Sequence, residues 1–140
     1  MNDPSEIARA LRTATTIAVV GCSPNPHRAS HTIARYLIDS GYEVIPVNPG
    51  HAEILGRRCF PDLESIPKET PLDIVDVFRR SEHVAEVADA AVARGAKFFW
   101  MQDGVVDEAA AERLLAAGIP VAMDRCIYRD RQALLRTGEV

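Results

Sequence analysis

The sequence predicts an α/β fold: one three-layer domain in which a parallel sheet is doubly wound in the Rossmann manner. Three observations predict it. Short apolar runs such as Ile17–Val20, Ile74–Phe78 and Phe98–Met101 read as strands buried on both faces. Amphipathic stretches with helical spacing alternate with them, the order that right-handed parallel crossovers require. The first strand also runs into a Gly-headed loop, Gly21-Cys22-Ser23-Pro24-Asn25, after which helical periodicity resumes by Ile33.

The elements follow in order. Asp3-Pro4-Ser5-Glu6 predicts a helix start, with Asp3 as N-cap, Pro4 at the first helical position and Glu6 closing a capping box. Ile7, Ala8, Leu11 and Ala14 continue it. A strand is expected at 16–21, then a helix carrying Ile33, Ala34, Leu37 and Ile38 to a stop at Gly41. Tyr42–Val47 predicts a second strand, ended by Asn48-Pro49-Gly50. Within the Pro-broken stretch 50–72 a short strand is expected near Arg58–Phe60 and a brief helix near Leu63–Ile66. Beyond Ile74–Phe78, Ser81 is expected to cap a helix ending at Arg94-Gly95, and Asp107 another ending before Gly118. Pro120–Met123 predicts the last strand, and a short helix closes the chain before Gly138.

The 140 residues suit a single domain, 1–140, and are too few for a two-domain enzyme. Apolar content of 47% and charged content of 26% are those of a soluble globular protein. No run approaches the roughly 20 apolar residues of a membrane span, and the N-terminus lacks signal-peptide character. A net charge of -4 argues against nucleic-acid binding and requires that any anion be attracted locally. Cys22, Cys59 and Cys126, odd in number and without a C-x-x-C pair, read as reduced thiols of a cytoplasmic protein.

In open α/β sheets the ligand lies beyond the carboxyl ends of the strands, where strand order reverses. Gly21, Cys22, Ser23, Pro24 and Arg28 are therefore candidates to bind a pyrophosphate at a helix N-terminus. Asn48 and Pro49 end the second strand. Phe78 and Arg79 end the third long one, as an apolar wall and a phosphate partner. Gln102 and Gly104 offer hydrogen bonds and backbone access after the next. Asp76, inside an apolar strand, is expected to pair with an Arg or with loop N–H groups.

A nicotinamide cofactor fits poorly. The G-x-G-x-x-G fingerprint needs Gly where Ser23 and Pro26 stand, and no acid follows the second strand to hold a ribose. An NAD(P)-dependent oxidoreductase with an atypical loop remains an alternative. Another is a thiol-redox module acting through Cys126 beside Arg125, although a small buried side chain is the better account of that cysteine.

Val20-Gly21-Cys22-Ser23-Pro24-Asn25, Val47-Asn48-Pro49, Asp73–Arg79, Trp100-Met101-Gln102-Asp103-Gly104 and Met123-Asp124-Arg125-Cys126 together resemble the CoA-binding protein family. These are single-domain relatives of the CoA-binding domain of the succinyl-CoA synthetase α subunit. The resemblance spans about Ile17 to Cys126. It implies coenzyme A, free or acylated, lying across the strand ends. The first loop and Arg28 would hold the pyrophosphate, Asn48 and Pro49 would lie near the adenosine, and Phe78, Arg79, Gln102 and Gly104 would line the rest. It also implies binding without catalysis, since the synthetase needs a second domain and a partner subunit. The sequence departs from the family pattern at Asp130-Arg131, where relatives often carry an acid followed by His.

Overall fold

A computed structural model describes residues 1–140. Five strands form one parallel sheet: β1 (Thr16–Val20), β2 (Glu43–Val47), β5 (Ile74–Val77), β6 (Phe99–Met101) and β7 (Val121–Ala122). Their spatial order is β2-β1-β5-β6-β7, all neighbours parallel. The chain moves outward from β1 to β2, then crosses back to β5 on the other side of β1. The switch point of this Rossmann-like α/β fold is therefore the gap between the carboxyl ends of β1 and β5.

Residue alternation along the strands divides the interior into two cores. Ile17, Val19, Ile74 and Trp100 pack under α1 (Pro4–Thr13), α2 (Ala29–Asp39) and α5 (Ile127–Thr137). Ala18, Val20, Val75, Val77, Phe99 and Met101 pack under α3 (Val84–Arg94) and α4 (Glu108–Ala116). No helix is long and apolar enough to cross a membrane.

The termini of α1 and α4 follow the sequence. Asp3 Oδ1 accepts from the amides of Ser5 and Glu6 at 2.8 and 3.3 Å, so Glu6 contributes its N–H to the cap. Asp107 Oδ1 accepts from Ala110 N at 2.9 Å. Ser81 behaves differently from the expectation. It opens a 3₁₀ turn, Ser81–His83, ahead of α3, and its hydroxyl accepts from Val106 N at 2.9 Å, tying that turn to the loop after β6.

The stretch 48–73 departs most. Glu53–Ile54 (β3) and Arg57–Arg58 (β4) form a two-stranded antiparallel hairpin whose turn residues, Leu55 and Gly56, both have positive φ. The expected strand near Arg58–Phe60 is thus shifted toward the hairpin, with Phe60 making a lone parallel bridge to Val47. The expected helix at Leu63–Ile66 is a series of turns. Arg94 of α3 holds these turns, donating to the carbonyls of Leu63, Ile66 and Pro67. Leu63, Ile66 and Leu72 then cover the sheet where a crossover helix would otherwise lie.

Both flanks of the sheet are closed. Phe60 N donates to Pro46 O at 3.1 Å beside β2. On the β7 side Asn2 donates its amide to Val121 O, while its side chain bonds both Met123 N (2.7 Å) and Met123 O (3.2 Å). Such pairing removes the exposed edges on which strands from other chains add.

At the amino ends of the strands Asp73 Oδ2 accepts from Thr15 N and Thr16 N at 2.9 and 3.0 Å, and Lys97 lies 3.3 Å from Oδ1. Burial raises this carboxyl's pKa, but the amides of Thr16 and Thr15 and the Lys97 ammonium outweigh that and hold it below the ordinary value. Asp73→Ala is expected to cost about 1–3 kcal/mol by urea unfolding. Because the folded pKa is depressed, this stabilisation is present above the unfolded carboxylate pKa of about 3.9 and disappears as pH falls through the folded value. The difference between wild type and variant should therefore shrink in acid.

Candidate functional site

At the switch point seven of the sequence-derived candidates converge. Gly21, Ser23, Arg28, Asn48, Pro49, Phe78 and Arg79 line one cleft of about 600 Å³, together with Ala29 and Ser30 from the first turn of α2. Its floor is the end of β1, where Gly21 N donates to Val47 O at 2.8 Å and Phe78 N to Val20 O at 2.8 Å.

Gly21 is required by the protein's own backbone. Its φ is +84°, and a Cβ there would lie 2.4 Å from the Phe78 carbonyl oxygen. The absent side chain at Gly21 thus makes room for the backbone of β5.

The loop is held by its own side chains. Ser30 Oγ accepts from Ser23 N at 2.9 Å, and His31 Nδ1 bonds the Ser23 carbonyl at 2.9 Å. Ser23 Oγ accepts from Asn25 N at 3.0 Å, and Asn25 Oδ1 from His27 N at 2.9 Å. Asn48 Nδ2 donates to Cys22 O at 2.7 Å, fastening the loop to the end of β2. A hydroxyl that accepts an amide proton keeps its own proton to donate. Ser23 and Ser30 therefore both keep an O–H to donate at the cleft, beside the amides of Ala29 and Ser30, which make no backbone bond, while those of His31 and Thr32 donate to Arg28 O at 3.1 and 3.2 Å. Ser30 was not singled out from sequence; its place in the first turn, seven residues past Ser23, was the available signal.

The charge is local, as the acidic total requires. Arg28 is exposed and Arg79 half-buried, and neither guanidinium makes an ion pair. Arg125, by contrast, forms a bidentate pair with Asp130 at 2.7 and 2.9 Å, and Arg129 one with Asp103 at 2.8 and 2.7 Å. With a helix N-terminus added, the cleft gathers the donors and the local positive charge that suit an anion.

The other four ligand-contact candidates, Cys22, Pro24, Gln102 and Gly104, lie outside this cleft. Cys22 is completely buried among the residues under α2, and burial, with Cys59 and Asp76 nearby, pushes its thiol up to about 12. Pro24 is exposed on the loop, outside the cleft lining. Gln102 is 3% exposed, and its Oε1 accepts from Ile127 N at 3.2 Å, anchoring α5. Gly104 donates its amide to Asp124 Oδ1 at 2.7 Å. Trp100 is fully buried, and its indole N–H donates to Arg125 O at 3.0 Å. Cys126 is a free thiol, 6% exposed, at the start of α5.

Asp76 corrects another expectation. Its carboxyl is 0% exposed, and neither oxygen has a hydrogen-bond partner; no Arg and no loop amide reaches it. Burial raises its pKa well above the ordinary carboxyl value.

A second cavity, of about 380 Å³, adjoins the cleft and shares Pro49 and Arg79 with it. Val20, Val47, Leu63 and Val87 line it, along with the carboxylates of Asp62, Glu64 and Glu86.

Residues 15–132 match the CoA binding domain family. The chain belongs to that family. Among the relatives of this CoA binding domain, YneT of Bacillus subtilis (strain 168) is 44% identical over 129 residues, covering 91% of this chain and 94% of YneT. A hypothetical protein from Pyrococcus horikoshii OT3 superposes with a TM-score of 0.90 at 34% identity, covering 95% of this chain and 92% of that one. A dinucleotide-forming acetyl-coenzyme A synthetase 1 from Ca. Korarchaeum cryptofilum, in complex with phosphate and ADP, superposes with a TM-score of 0.73 at 26% identity. That match covers 89% of the CoA binding domain described here but only 28% of the synthetase chain.

Proposed function

We propose that the chain binds coenzyme A or an acyl-CoA, without transforming it, by seating the pyrophosphate in the switch-point cleft. The observation that carries this reading is the pair of unpaired guanidiniums, Arg28 and Arg79, on a cleft whose other donors are the α2 N-terminus and two serine hydroxyls. Family membership supplies the ligand class. The loop contributes hydrogen-bond donors and no nucleophile, because the Cys22 thiol is buried and held protonated.

Titration calorimetry with CoA and acetyl-CoA, against NAD and ATP, tests the reading. CoA is expected to bind and NAD to bind far more weakly; no heat with millimolar CoA would overturn it. Arg79→Ala should weaken CoA about 10- to 100-fold, the loss of a charge-assisted contact worth about 1.5–3 kcal/mol. Arg28→Ala should cost less, since the exposed side chain is screened by solvent. Neither change touches an internal ion pair, so the thermal midpoint should be retained.

A further inference from the structure

We propose that the cavity beside the cleft receives the nucleoside end of the ligand with its ribose unphosphorylated, so that dephospho-CoA binds in preference to CoA. The proposal rests on the reading of the cleft as a CoA pyrophosphate site.

The two spaces are adjacent. Pro49 and Arg79 form part of both walls, so a diphosphate held by α2 and Arg79 delivers its next group into the cavity. That space has a volume of about 380 Å³, with aliphatic walls from Val20, Val47 and Val87 and carboxylates from Asp62, Glu64 and Glu86. An aromatic base matches this mixed lining: its faces pack on the aliphatic walls, and its exocyclic amine is a donor for the carboxylate acceptors.

Charge then decides the state of the ribose. Asp62, Glu64 and Glu86 contribute three carboxylates to the lining, and Arg79 is its single cation, already engaged by the diphosphate. Asp62 is kept ionised by Ser65, whose hydroxyl and amide bond Oδ1 at 2.6 and 2.8 Å. A ribose phosphate brings roughly −1.5 to −2 charge into this wall. At surface dielectric, several unit repulsions over a few ångströms correspond to about tenfold in affinity. A free ribose hydroxyl meets no such penalty and finds acceptors.

Calorimetry with CoA, dephospho-CoA and phosphopantetheine at low and high salt reads this directly. Dephospho-CoA is expected to bind about tenfold tighter than CoA at low salt, with the gap narrowing as salt screens the wall. The double variant Glu64→Gln/Glu86→Gln, whose side chains are exposed on the rim, should narrow it likewise. Phosphopantetheine, lacking the nucleoside, should bind at least tenfold more weakly than dephospho-CoA. CoA binding as tightly as dephospho-CoA to the wild type, a ratio unmoved by the double variant, or phosphopantetheine matching dephospho-CoA would each overturn the proposal while leaving the CoA site standing. Failure of every one of these compounds to bind would remove the site and the proposal together.

Discussion

Asp76→Val is expected to stabilise the protein by about 1–3 kcal/mol at neutral pH, as measured by urea unfolding. The wild-type carboxyl is 0% exposed and neither oxygen has a partner, so folding removes it from water without return. Valine is close in volume, is suited to a central strand, and matches the apolar neighbours of β5. The pH dependence gives a second readout. Burial raises the folded pKa, so the folded state binds more protons than the unfolded chain above about pH 4. Stability from this group is complete below the unfolded value and is lost as pH rises toward the folded one. The advantage of Asp76→Val should therefore grow with pH through that window. A variant no more stable than wild type, or a difference independent of pH, would show that Asp76 has a stabilising partner in solution.

Gly21→Ala is expected to have the largest effect of the opposite sign. The added Cβ would meet the Phe78 carbonyl oxygen at 2.4 Å, which is rigid β5 backbone, and a φ of +84° is unfavourable for any L side chain. Strain at φ of about 1 kcal/mol and overpacking of about 1–3 kcal/mol together predict a loss of about 2–4 kcal/mol. Because the displaced atoms join β1 to β5, CoA binding should fall with stability. Gly41→Ala separates the two causes. Its φ is +101° but nothing lies within 4 Å of the added carbon, so it should cost only the conformational part and leave the cleft intact. Equal losses for the two variants would show that contact with Phe78 contributes nothing.

The fold was legible wherever one force dominated. Continuous apolar runs marked the five strands of the sheet, and Asp3 and Asp107 marked helix starts through the only oxygens available to those amides. The hairpin at 53–58 was not legible because its turn uses Leu55 at positive φ, where Asn or Gly would have announced it. The turns at 63–66 depend on Arg94, some thirty residues away, whose role has no local signature. The convergence of Gly21, Ser23, Arg28, Asn48, Pro49, Phe78 and Arg79 on one cleft was legible because switch-point geometry brings strand ends together. Gln102 fell away for a reason present in the sequence. Side chains along a strand alternate, so Gln102 shares the face of Trp100 and turns toward α5 rather than the cleft. Asp76 shares that face too, and no side chain or amide reaches its carboxyl there.

The length of chain from Phe60 to Leu72 has consequences for how this protein diverges. Held by three carbonyl contacts to one arginine, by the Asp62–Ser65 bonds and by a few aliphatic anchors, it carries Glu64 on its outer side without asking it to support the sheet. A point change at Glu64 alters the charge at the mouth of the adjoining cavity while the scaffold stays as it is. Under the reading proposed above, that one surface position is where selectivity among nucleotides can be retuned without cost to the fold.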